Sequence, residues 1–453
     1  MNAPGPVAAA EAMAAEFERR AAARELTVGV LGLGYVGLPL TEGFLGKGFK
    51  VLGFDPDAEK IAALEAGRTY IRHIDDARVA VMRDTGRLDL TTDPARLAEA
   101  DALLMCVPTP LNQHREPDLS FVEAGARTIA AHLRPGQLVV LESTTYPGTS
   151  EELIRPILEA GGLKSGTDFA LAYSPEREDP GNIQFGATSI PKVVGADTEP
   201  ERRMAVALYS TLTQVVPVSD LKTAEAVKLT ENVFRLVNIA LVNELKVVYE
   251  SLGIDIWEVV EAAKTKPFGY MPFYPGPGLG GHCIGIDPFY LTWKARAHGE
   301  ATRFIELAGD VVTAMPRRVV GHVSEALSTR LGKAVRGARV LVLGLAYKKN
   351  VDDMRESPSL EIIERLRGRG AEVDYYDPFI PQALDTREHP EVAGMSSIAW
   401  SREALGTYDC AVICTDHDGV DYAALVETLP LVVDTRNATA RLPAELAAKV
   451  VKA

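Results

Sequence analysis

A single cysteine lies in a glycine-rich stretch, where it could serve as a nucleophile. Residues 275–290 read PGPGLGGHCIGIDPFY and place five glycines around Cys283. Glycine at this density loses backbone entropy on folding, so its usual role is to let the main chain approach another group closely. His282 directly precedes the cysteine, which is compatible with a thiolate stabilised by nearby cations. Asp287 follows four residues later, close enough to influence the same chemistry. The alternative is a surface loop that holds an incidental buried cysteine.

A second set of polar residues lies on a long predicted helix. Residues 220–252 contain neither proline nor glycine, and their apolar residues recur at helical spacing, which predicts a helix about 45 Å long. Lys228, Asn232 and Arg235 fall at positions i, i+4 and i+7, so they share one face. Such a stripe in the middle of an apolar helix indicates a shared ligand, whereas charges at solvated helix ends would be unremarkable. A helix of this length usually joins two domains or forms a dimer contact.

A dinucleotide-binding signature stands near the N-terminus. A predicted strand at 27–31 leads directly into Gly32, Gly34 and Gly37, a complete G-x-G-x-x-G, and a predicted helix at 38–47 follows. The first glycine permits the tight turn, the second lets the backbone approach a pyrophosphate, and the third packs helix on strand. The N-terminus of the helix then stabilises the phosphate charge. This context favours a bound dinucleotide.

Polar residues beyond the later strands complete the predicted cofactor site. Asp55 ends the strand at 50–54 and would accept hydrogen bonds from a ribose diol; because it repels a 2′-phosphate, it favours NAD over NADP. Lys60 would reach the same ribose or phosphate, or would be a solvated helix lysine. Thr109 and Thr144 follow predicted strands, where ligands of an open α/β sheet bind. For both threonines the alternative is a role in capping the loop.

A dense polar loop, YSPEREDPG at 173–181, follows a further predicted strand at 169–172. Glu176 could orient or deprotonate a water molecule, and Arg177 could meet an anionic group. A solvated turn is the competing interpretation.

The C-terminal region repeats the opening of the first domain. Residues 339–344 read RVLVLG, and a predicted helix at 359–369 and strand at 372–376 follow, which predicts a second Rossmann-like unit. Its glycine turn is degraded to GLAYKK, and the two lysines suit a sugar-nucleotide diphosphate better than a dinucleotide. Arg355 and Arg436 are further candidates for anion contacts, although either one alone is more often a surface salt bridge.

Composition restricts the class of protein. A chain of 453 residues should form two or three domains. The net charge of −14 argues against nucleic acid as a partner, and the absence of a run of eighteen apolar residues argues against a membrane span. The four cysteines are not spaced as a disulfide framework, which indicates a reducing compartment and a cytoplasmic location. Cys410 and Cys414 lie in an apolar run, so no metal site is expected.

The alanine-rich N-terminus is interrupted by Glu11, Glu16 and Glu18. A secretory signal needs an uninterrupted apolar core. The sequence therefore predicts a frayed helical extension over residues 1–24.

Several motifs together resemble the UDP-glucose/GDP-mannose dehydrogenase family. They are GLGYVGLP, CVPTPLN, ESTTYPGT, YSPEREDPGN, the helix with Lys228 and Asn232, PGPGLGGHCI and AYKKNVDDMRESPS. The resemblance runs from about residue 25 to the end and is greatest to the branch acting on UDP-N-acetylhexosamines, in particular UDP-N-acetyl-D-glucosamine. It implies two successive NAD-dependent oxidations of the sugar C6 alcohol, first to an aldehyde and then to a carboxylate, for surface polysaccharide biosynthesis.

The resemblance also implies roles for individual residues. Cys283 would be the nucleophile that forms a thiohemiacetal and then a thioester, and Lys228 with Asn232 would stabilise the oxyanion. Asp287 would position water or Lys228, Glu176 would act in thioester hydrolysis, and Thr144 would hold the water. The predicted cofactor contacts are Gly32, Gly34, Tyr35, Val36, Gly37, Asp55, Lys60, Thr109, Thr144 and Arg355. The predicted UDP-sugar contacts are Arg177, Lys228, Asn232, Arg235, Gly280, Tyr347, Lys348 and Arg436.

Two departures from the family pattern bear on the substrate. Gly285 stands where this branch commonly has proline or alanine, which loosens the loop but leaves the nucleophile in place. The mannosamine branch has a His-x-Arg motif before the Gly/Pro loop, and here residues 267–270 read PFGY. This argues against UDP-N-acetylmannosamine and favours the glucosamine or galactosamine epimer.

The predicted fold is α/β, with two Rossmann-like doubly wound domains joined by a long central helix and a small helical domain. The predicted segments are a flexible helical extension (1–24), an NAD-binding domain (25–218), a central helical dimerisation domain with the cysteine loop (219–318) and a UDP-sugar-binding domain (319–453). A homodimer or higher homo-oligomer is expected. Alternative substrates for the same chemistry are UDP-N-acetylgalactosamine, UDP-N-acetylmannosamine and UDP-glucose. A non-enzymatic alternative is a nucleotide-sugar sensor. A further alternative is a hydroxyacid or hydroxyacyl dehydrogenase, which needs no cysteine loop.

Overall fold

The computed structural model describes residues 6–71, 74–112, 116–177, 189–386 and 388–453, without the side chains of Pro6, His282 and Cys283. The chain divides into two compact units. The first unit comprises Met1–Glu231 and Phe289–Glu300, and the second comprises Asn232–Pro288 and Ala301–Ala453.

Helices and strands alternate along most of the chain. The helices are α1 (Pro6–Ala23), α2 (Gly37–Gly46), α3 (Ala58–Glu65), α4 (Asp76–Asp84), α5 (Ser120–Ala130), α6 (Arg155–Glu159), α7 (Glu199–Tyr209), α8 (Leu221–Ser251), α9 (Ile256–Ala263), α10 (His282–Ala297), α11 (Arg303–Leu331), α12 (Pro358–Gly368), α13 (Arg402–Leu405), α14 (Tyr422–Thr428) and α15 (Ala444–Ala447). The strands are β1 (Thr27–Leu31), β2 (Lys50–Phe54), β3 (Leu88–Thr91), β4 (Ala102–Met105), β5 (Leu138–Leu141), β6 (Ala170–Tyr173), β7 (Lys192–Gly195), β8 (Val215–Val218), β9 (Arg339–Leu343), β10 (Glu372–Tyr376), β11 (Cys410–Ile413), β12 (Val432–Asp434) and β13 (Val450–Lys452).

The first unit is built on an eight-stranded sheet in the order β3-β2-β1-β4-β5-β6-β7-β8. All neighbouring strands are parallel except β6 and β7. The central strands are short apolar runs such as LVVL in β5, whose four residues are all buried, as expected where helices cover both faces of a parallel sheet. The strand order reverses between β1 and β4, the switch point at which doubly wound folds bind dinucleotides.

The second unit contains a five-stranded parallel sheet in the order β10-β9-β11-β12-β13. Its opening strand β9 pairs with both β10 and β11, as β1 pairs with β2 and β4 in the first unit. The predicted fold class, with two Rossmann-like sheets and a long helix between them in the chain, is confirmed. Among the described residues, no helix is both long and apolar enough to cross a bilayer.

The N-terminal helix differs from the predicted frayed extension. Residues Ala14, Phe17 and Ala21 of α1 are buried in the core of the first unit, and the helix packs against α7. Arg20 adds an ion pair to the buried Asp101, with Nη2 and Oδ2 2.7 Å apart. The physical reason is the spacing of the small and aromatic residues, which gives α1 one apolar face.

Candidate active site

The glycine turn of the first unit matches each requirement of a dinucleotide site. Gly32 has φ of +87°, and a Cβ there would lie 2.4 Å from the Cys106 carbonyl oxygen. A Cβ on Gly37 would lie 1.9 Å from the Gly32 carbonyl oxygen, whereas a Cβ on Gly34 would meet nothing within 4 Å. The outer glycines therefore permit the turn and its packing on the sheet, and the middle one borders open space that a pyrophosphate would occupy. The residues present fit an NAD molecule.

Gly34→Ala should separate cofactor binding from folding. Because the added methyl group meets no protein atom, we expect the melting temperature to stay close to the wild-type value. The same methyl group would obstruct the pyrophosphate, at about 1–3 kcal/mol and hence about 5–150-fold in Kd for NAD. Calorimetric titration with NAD and a thermal melt would measure both quantities.

Gly37→Ala is the matched control for that variant. Its Cβ would overlap a backbone oxygen, so it should destabilise the unit by more than about 2 kcal/mol. Equal NAD affinity in wild type and Gly34→Ala would contradict a pyrophosphate at this turn.

Asp55 is part of the same turn. Its carboxylate is buried and accepts hydrogen bonds from the backbone N–H groups of Leu33 and Asp57, both at 3.0 Å. Lys60 Nζ lies 3.3 Å from Asp55 Oδ2, so the lysine is beside the acid rather than directed only to solvent. A carboxylate can accept about four hydrogen bonds, which leaves capacity for a ribose hydroxyl. The ribose contacts of Asp55 and Lys60 remain predictions.

The other predicted cofactor contacts of the first unit surround this turn. Val36 immediately precedes α2, and the side chain of Tyr35 is 40% exposed. Thr109 and Thr144 are partly buried, and within the described part of the chain neither hydroxyl has a hydrogen-bond partner. Their contacts with the cofactor remain predictions.

Glu176 and Lys228 come together in the first unit. Lys228 is 5% exposed, and its Nζ donates a hydrogen bond of 2.6 Å to the Glu176 carbonyl oxygen. The Glu176 carboxylate accepts from the backbone N–H of Arg177 at 2.7 Å and forms an ion pair of 3.1 Å with Lys192. A side chain held in this way does not belong to a freely solvated turn. Residues 178–181 of the same predicted loop lie outside the described residues.

Arg177 is already paired within the first unit. Its guanidinium forms an ion pair with Glu231 and donates to the Pro191 carbonyl oxygen at 2.8 Å. The predicted contact between Arg177 and the substrate remains a prediction, and a substrate phosphate would have to compete with Glu231 for this charge.

Asn232 organises a polar group in the second unit. It is 1% exposed, its Nδ2 donates to Asp287 Oδ2, and its Oδ1 accepts from Arg235 Nη2. Asp287 is buried as well. The structure therefore joins Asp287 to Asn232 and, through Asn232, to Arg235 on the same helix face. The role of Asp287 in positioning water or Lys228 remains a prediction.

The glycines before Cys283 pack against the protein itself. A Cβ on Gly276 would lie 2.6 Å from Arg436 Nη1, and one on Gly280 would lie 2.5 Å from Tyr347 Cβ. Gly281, with φ of +86°, lies against the Tyr347 ring, where a Cβ would be 2.9 Å from Cε2. The expected close approach of the main chain is thus to Tyr347 and Arg436, two residues predicted to bind the UDP-sugar.

Cys283 lies in a helix rather than in the predicted loop, because α10 begins at His282. Its side chain is outside the described residues. No Ser, Thr, Asp or Asn precedes the helix as a cap, and Gly285 and Pro288 lie inside it. These residues normally oppose helix formation, so the sequence pattern did not indicate the helix.

The degraded glycine turn of the second unit keeps its first glycine, but an alanine replaces the middle glycine, which borders open space in the first unit. Gly344 has φ of +85°, and Ala346 stands where the first turn has Gly34. Asp377 accepts from the backbone N–H groups of Leu345 and Ala346 at 2.7 and 2.9 Å, and His417 Nε2 lies 3.0 Å from the same carboxylate. Asp377 thus repeats the contact of Asp55 with its turn, and His417 contacts its carboxylate as Lys60 contacts that of Asp55.

Two predicted anion contacts of the second unit differ in their surroundings. Arg355 Nη2 lies 2.6 Å from Asp353 Oδ2, and the arginine side chain is exposed while that of the aspartate is mostly buried. Arg436 Nε instead donates to the Cys414 carbonyl oxygen at 2.8 Å, and burial lowers the pKa of its guanidinium. Among the described residues Arg436 is thus held by a carbonyl oxygen, whereas Arg355 forms a salt bridge of the kind that the alternative interpretation described. The proposed contact of Arg355 with the cofactor remains a prediction.

Sequence reasoning missed Lys192, which is 3% exposed and contacts both Glu142 and Glu176. A lysine at the start of an apolar strand does not by itself indicate a functional residue. Its partners are distant in sequence and are brought to it by the order of the strands.

Three consecutive models of one protein family match the chain. They are the NAD binding domain (residues 26–213), the central domain (222–313) and the UDP binding domain (341–441) of the UDP-glucose/GDP-mannose dehydrogenase family.

Individual relatives share most of the length of the chain. It is 36% identical over 397 residues to UDP-N-acetyl-D-glucosamine 6-dehydrogenase of Pseudomonas aeruginosa. The aligned residues cover 87% of this chain and 91% of that protein. The chain is 34% identical over 419 residues to UDP-N-acetyl-D-mannosamine dehydrogenase of Pyrococcus horikoshii, which covers 91% and 96%.

Solved structures of sugar-nucleotide dehydrogenases superpose on most of the chain. The UDP-D-ManNAc dehydrogenase of Pyrococcus horikoshii superposes with a TM-score of 0.85 at 32% identity and covers 94% of this chain and 99% of that one. The NDP-N-acetyl-D-galactosaminuronic acid dehydrogenase of Methanosarcina mazei gives a TM-score of 0.78 at 30% identity, covering 96% and 97%. The similar proteins thus differ in the hexosamine that their names specify.

Proposed function

Since the chain belongs to the UDP-glucose/GDP-mannose dehydrogenase family, we propose that it oxidises the C6 alcohol of UDP-N-acetyl-D-glucosamine to the uronic acid, with NAD as acceptor. The observation that carries this proposal is the succession of an NAD binding, a central and a UDP binding domain along one chain. The reaction removes four electrons and would supply a precursor for surface polysaccharide biosynthesis. A sensor without catalysis would have no need of the buried Lys228 beside the partly buried Glu176.

Cys283 is proposed to carry the sugar between the two oxidations. Each oxidation removes a hydride from C6, for which NAD would be the acceptor when bound. The first oxidation also releases the proton of the C6 hydroxyl to water. After the first oxidation, the Cys283 thiolate adds to the aldehyde carbon and gives a thiohemiacetal. Loss of the second hydride converts it to a thioester, and water then breaks the C–S bond, which returns the thiolate and releases the carboxylate.

Lys228 is proposed to stabilise the oxyanion that forms at C6. Its ammonium group is buried and is held by the Glu176 carbonyl oxygen, so its charge is fixed before the reaction begins. A fixed charge in a site of low dielectric stabilises developing negative charge without reorganisation. Asn232, paired with Asp287 and Arg235, is assigned to the same substrate oxygen through its family motif.

Glu176 is proposed to activate the water that hydrolyses the thioester, and Thr144 to hold that water. The carboxylate of Glu176 is held in one orientation by Lys192 and by the Arg177 N–H, as a general base requires. The hydroxyl of Thr144, which no described group occupies, is available to the water molecule.

The UDP-sugar contacts are proposed to involve Arg436, Tyr347, Lys348, Arg235 and Gly280. Support comes from the second unit, where the glycine stretch before Cys283 lies directly against Tyr347 and Arg436. The main-chain N–H of Gly276 also donates to Asn243 Oδ1 at 3.1 Å. A substrate bound by these residues would contact the stretch that leads into the nucleophile.

The glucosamine epimer is favoured by residues 267–270, which lack the His-x-Arg motif of the mannosamine branch. A side-by-side assay of UDP-N-acetyl-D-glucosamine, its galactosamine and mannosamine epimers and UDP-glucose tests this choice. We expect the highest kcat/KM for UDP-N-acetyl-D-glucosamine. A higher value for another sugar would overturn the choice of epimer and leave the family chemistry intact.

A homodimer in the cytoplasm is also proposed. Phe234, Leu241 and Val248 are each about half exposed and recur every seven residues along α8, which is the spacing of one helix face. Sedimentation should give twice the chain mass of 48.8 kDa. Leu241→Glu should give the mass of one chain, whereas Val81→Glu, at another exposed apolar site, should not. A monomeric wild-type protein would contradict the proposal.

A further inference from the structure

A buried ionic cluster adjoins Glu176 in the first unit. Lys192 Nζ lies 2.6 Å from Glu142 Oε2 and 3.1 Å from Glu176 Oε2. The Tyr209 hydroxyl donates to Glu142 Oε1, and Lys192 Nζ lies 5.2 Å from the centre of the Tyr209 ring. Lys192, Glu142 and Tyr209 are 3%, 1% and 0% exposed. Such a cluster is costly to bury, so its position next to the proposed general base requires an explanation.

One cation in this cluster serves two carboxylates. Burial raises the pKa of Glu142, and Lys192 opposes that rise. Burial also disfavours the charged form of Lys192. The nearby carboxylates of Glu142 and Glu176 have a larger opposite effect and hold the pKa of Lys192 above its usual value. Lys192 therefore stays charged over the physiological pH range, and its charge is available to Glu176.

The contacts of Glu176 fix its position from several sides. Lys192 holds Oε2, the backbone N–H of Arg177 holds Oε1 at 2.7 Å, and Lys228 holds the carbonyl oxygen at 2.6 Å. Glu142 in turn holds Lys192, and Tyr209 holds Glu142. The chain of contacts thus runs from the buried end of α7 to the carboxylate of Glu176.

We propose that Lys192 is a positioning residue that keeps Glu176 ionised and oriented to accept a proton during thioester hydrolysis. In that step a water oxygen bonds to the thioester carbon, and its proton passes to Glu176. The C–S bond then breaks, its electron pair returns to the Cys283 sulfur, and the acid formed loses its remaining proton. The proposal rests on the function proposed above for Glu176 and Cys283, and it adds Lys192, Glu142 and Tyr209 as the support of that base.

A purely structural ion pair would make different predictions from a positioning residue. Removing a positioning cation makes the ionised form of Glu176 less favourable, so the acid limb of the pH–rate profile for hydrolysis moves to higher pH. Lys192→Arg keeps the charge and should retain the wild-type acid limb. A structural role would change the melting temperature without moving the acid limb.

The experiment follows the Cys283 acyl adduct directly. Wild type, Glu176→Gln, Lys192→Met and Lys192→Arg are mixed with NAD and UDP-N-acetyl-D-glucosamine, quenched with acid at intervals, and measured by intact-protein mass spectrometry across a pH series. We expect Lys192→Met to accumulate the adduct, with hydrolysis about 10–100-fold slower and the acid limb at higher pH. Lys192→Met/Glu142→Gln, which removes both charges of the closest pair, provides a folded alternative should the single variant unfold.

The outcomes separate this inference from the proposed function. Should Glu176→Gln hydrolyse the adduct as fast as wild type, the role of Glu176 itself fails. Should Glu176→Gln accumulate adduct while both Lys192→Met and the double variant behave as wild type, the inference about Lys192 is overturned and the proposed function stands. Slower hydrolysis with an unmoved acid limb, or with no recovery in Lys192→Arg, would also overturn it.

Discussion

Cys283→Ser is expected to abolish formation of the uronic acid while nucleotide binding persists. A serine hydroxyl is a far weaker nucleophile than a thiolate at neutral pH, so the aldehyde would not be captured for the second oxidation. The loss should be on the order of a thousandfold or more, in the range found when a catalytic nucleophile is removed. Product analysis by mass spectrometry, together with calorimetric titration of NAD and UDP-sugar, measures both effects.

The matched control is Cys410→Ala, since Cys410 is buried in β11 and has no proposed chemistry. It should retain carboxylate formation. The position of Cys283 in the first turn of α10 is one that favours thiolates in proteins generally. Undiminished oxidation to the carboxylate in Cys283→Ser would remove the thioester from the mechanism.

Lys228→Met is expected to lower kcat by about 10²–10³-fold, which is the usual effect of losing one preorganised oxyanion stabiliser. Methionine keeps the length of the buried side chain and removes the charge, so most of the packing of α8 should be preserved. The hydrogen bond to the Glu176 carbonyl oxygen is lost as well, so hydrolysis should also slow. Steady-state kinetics and single-turnover formation of NADH measure the two effects.

Lys222→Met is the control on the same helix. Its ammonium group is about half exposed and is paired with Glu151 at 2.6 Å, so its loss should change kcat less than twofold. A Lys228→Met enzyme with kcat within twofold of wild type would show that another group stabilises the oxyanion.

Much of the sheet could be predicted from local sequence. The strands at 27–31, 50–54 and 372–376 have the predicted bounds. In β1 and β2 every residue after the first is buried, and the two strands end directly before Gly32 and Asp55. Local composition is sufficient in such cases because both faces of a parallel strand are buried.

Features that depend on distant partners were not predictable in the same way. The alanines of α1 are compatible with solvent or core, and only α7 decides which face is buried. Cys283 was predicted in a loop because Gly285 and Pro288 weaken the helical pattern of α10. Lys192 and Glu142 are separated by 50 residues, and only the strand order brings them together.

The NADH formed per sugar consumed tests the central claim most directly. Limiting UDP-N-acetyl-D-glucosamine is converted to completion with excess NAD, and NADH is measured by absorbance while the sugar product is identified by mass spectrometry. We predict two NADH per sugar and a carboxylate at C6. One NADH per sugar, with an aldehyde as the final product of the intact protein, would contradict the four-electron oxidation.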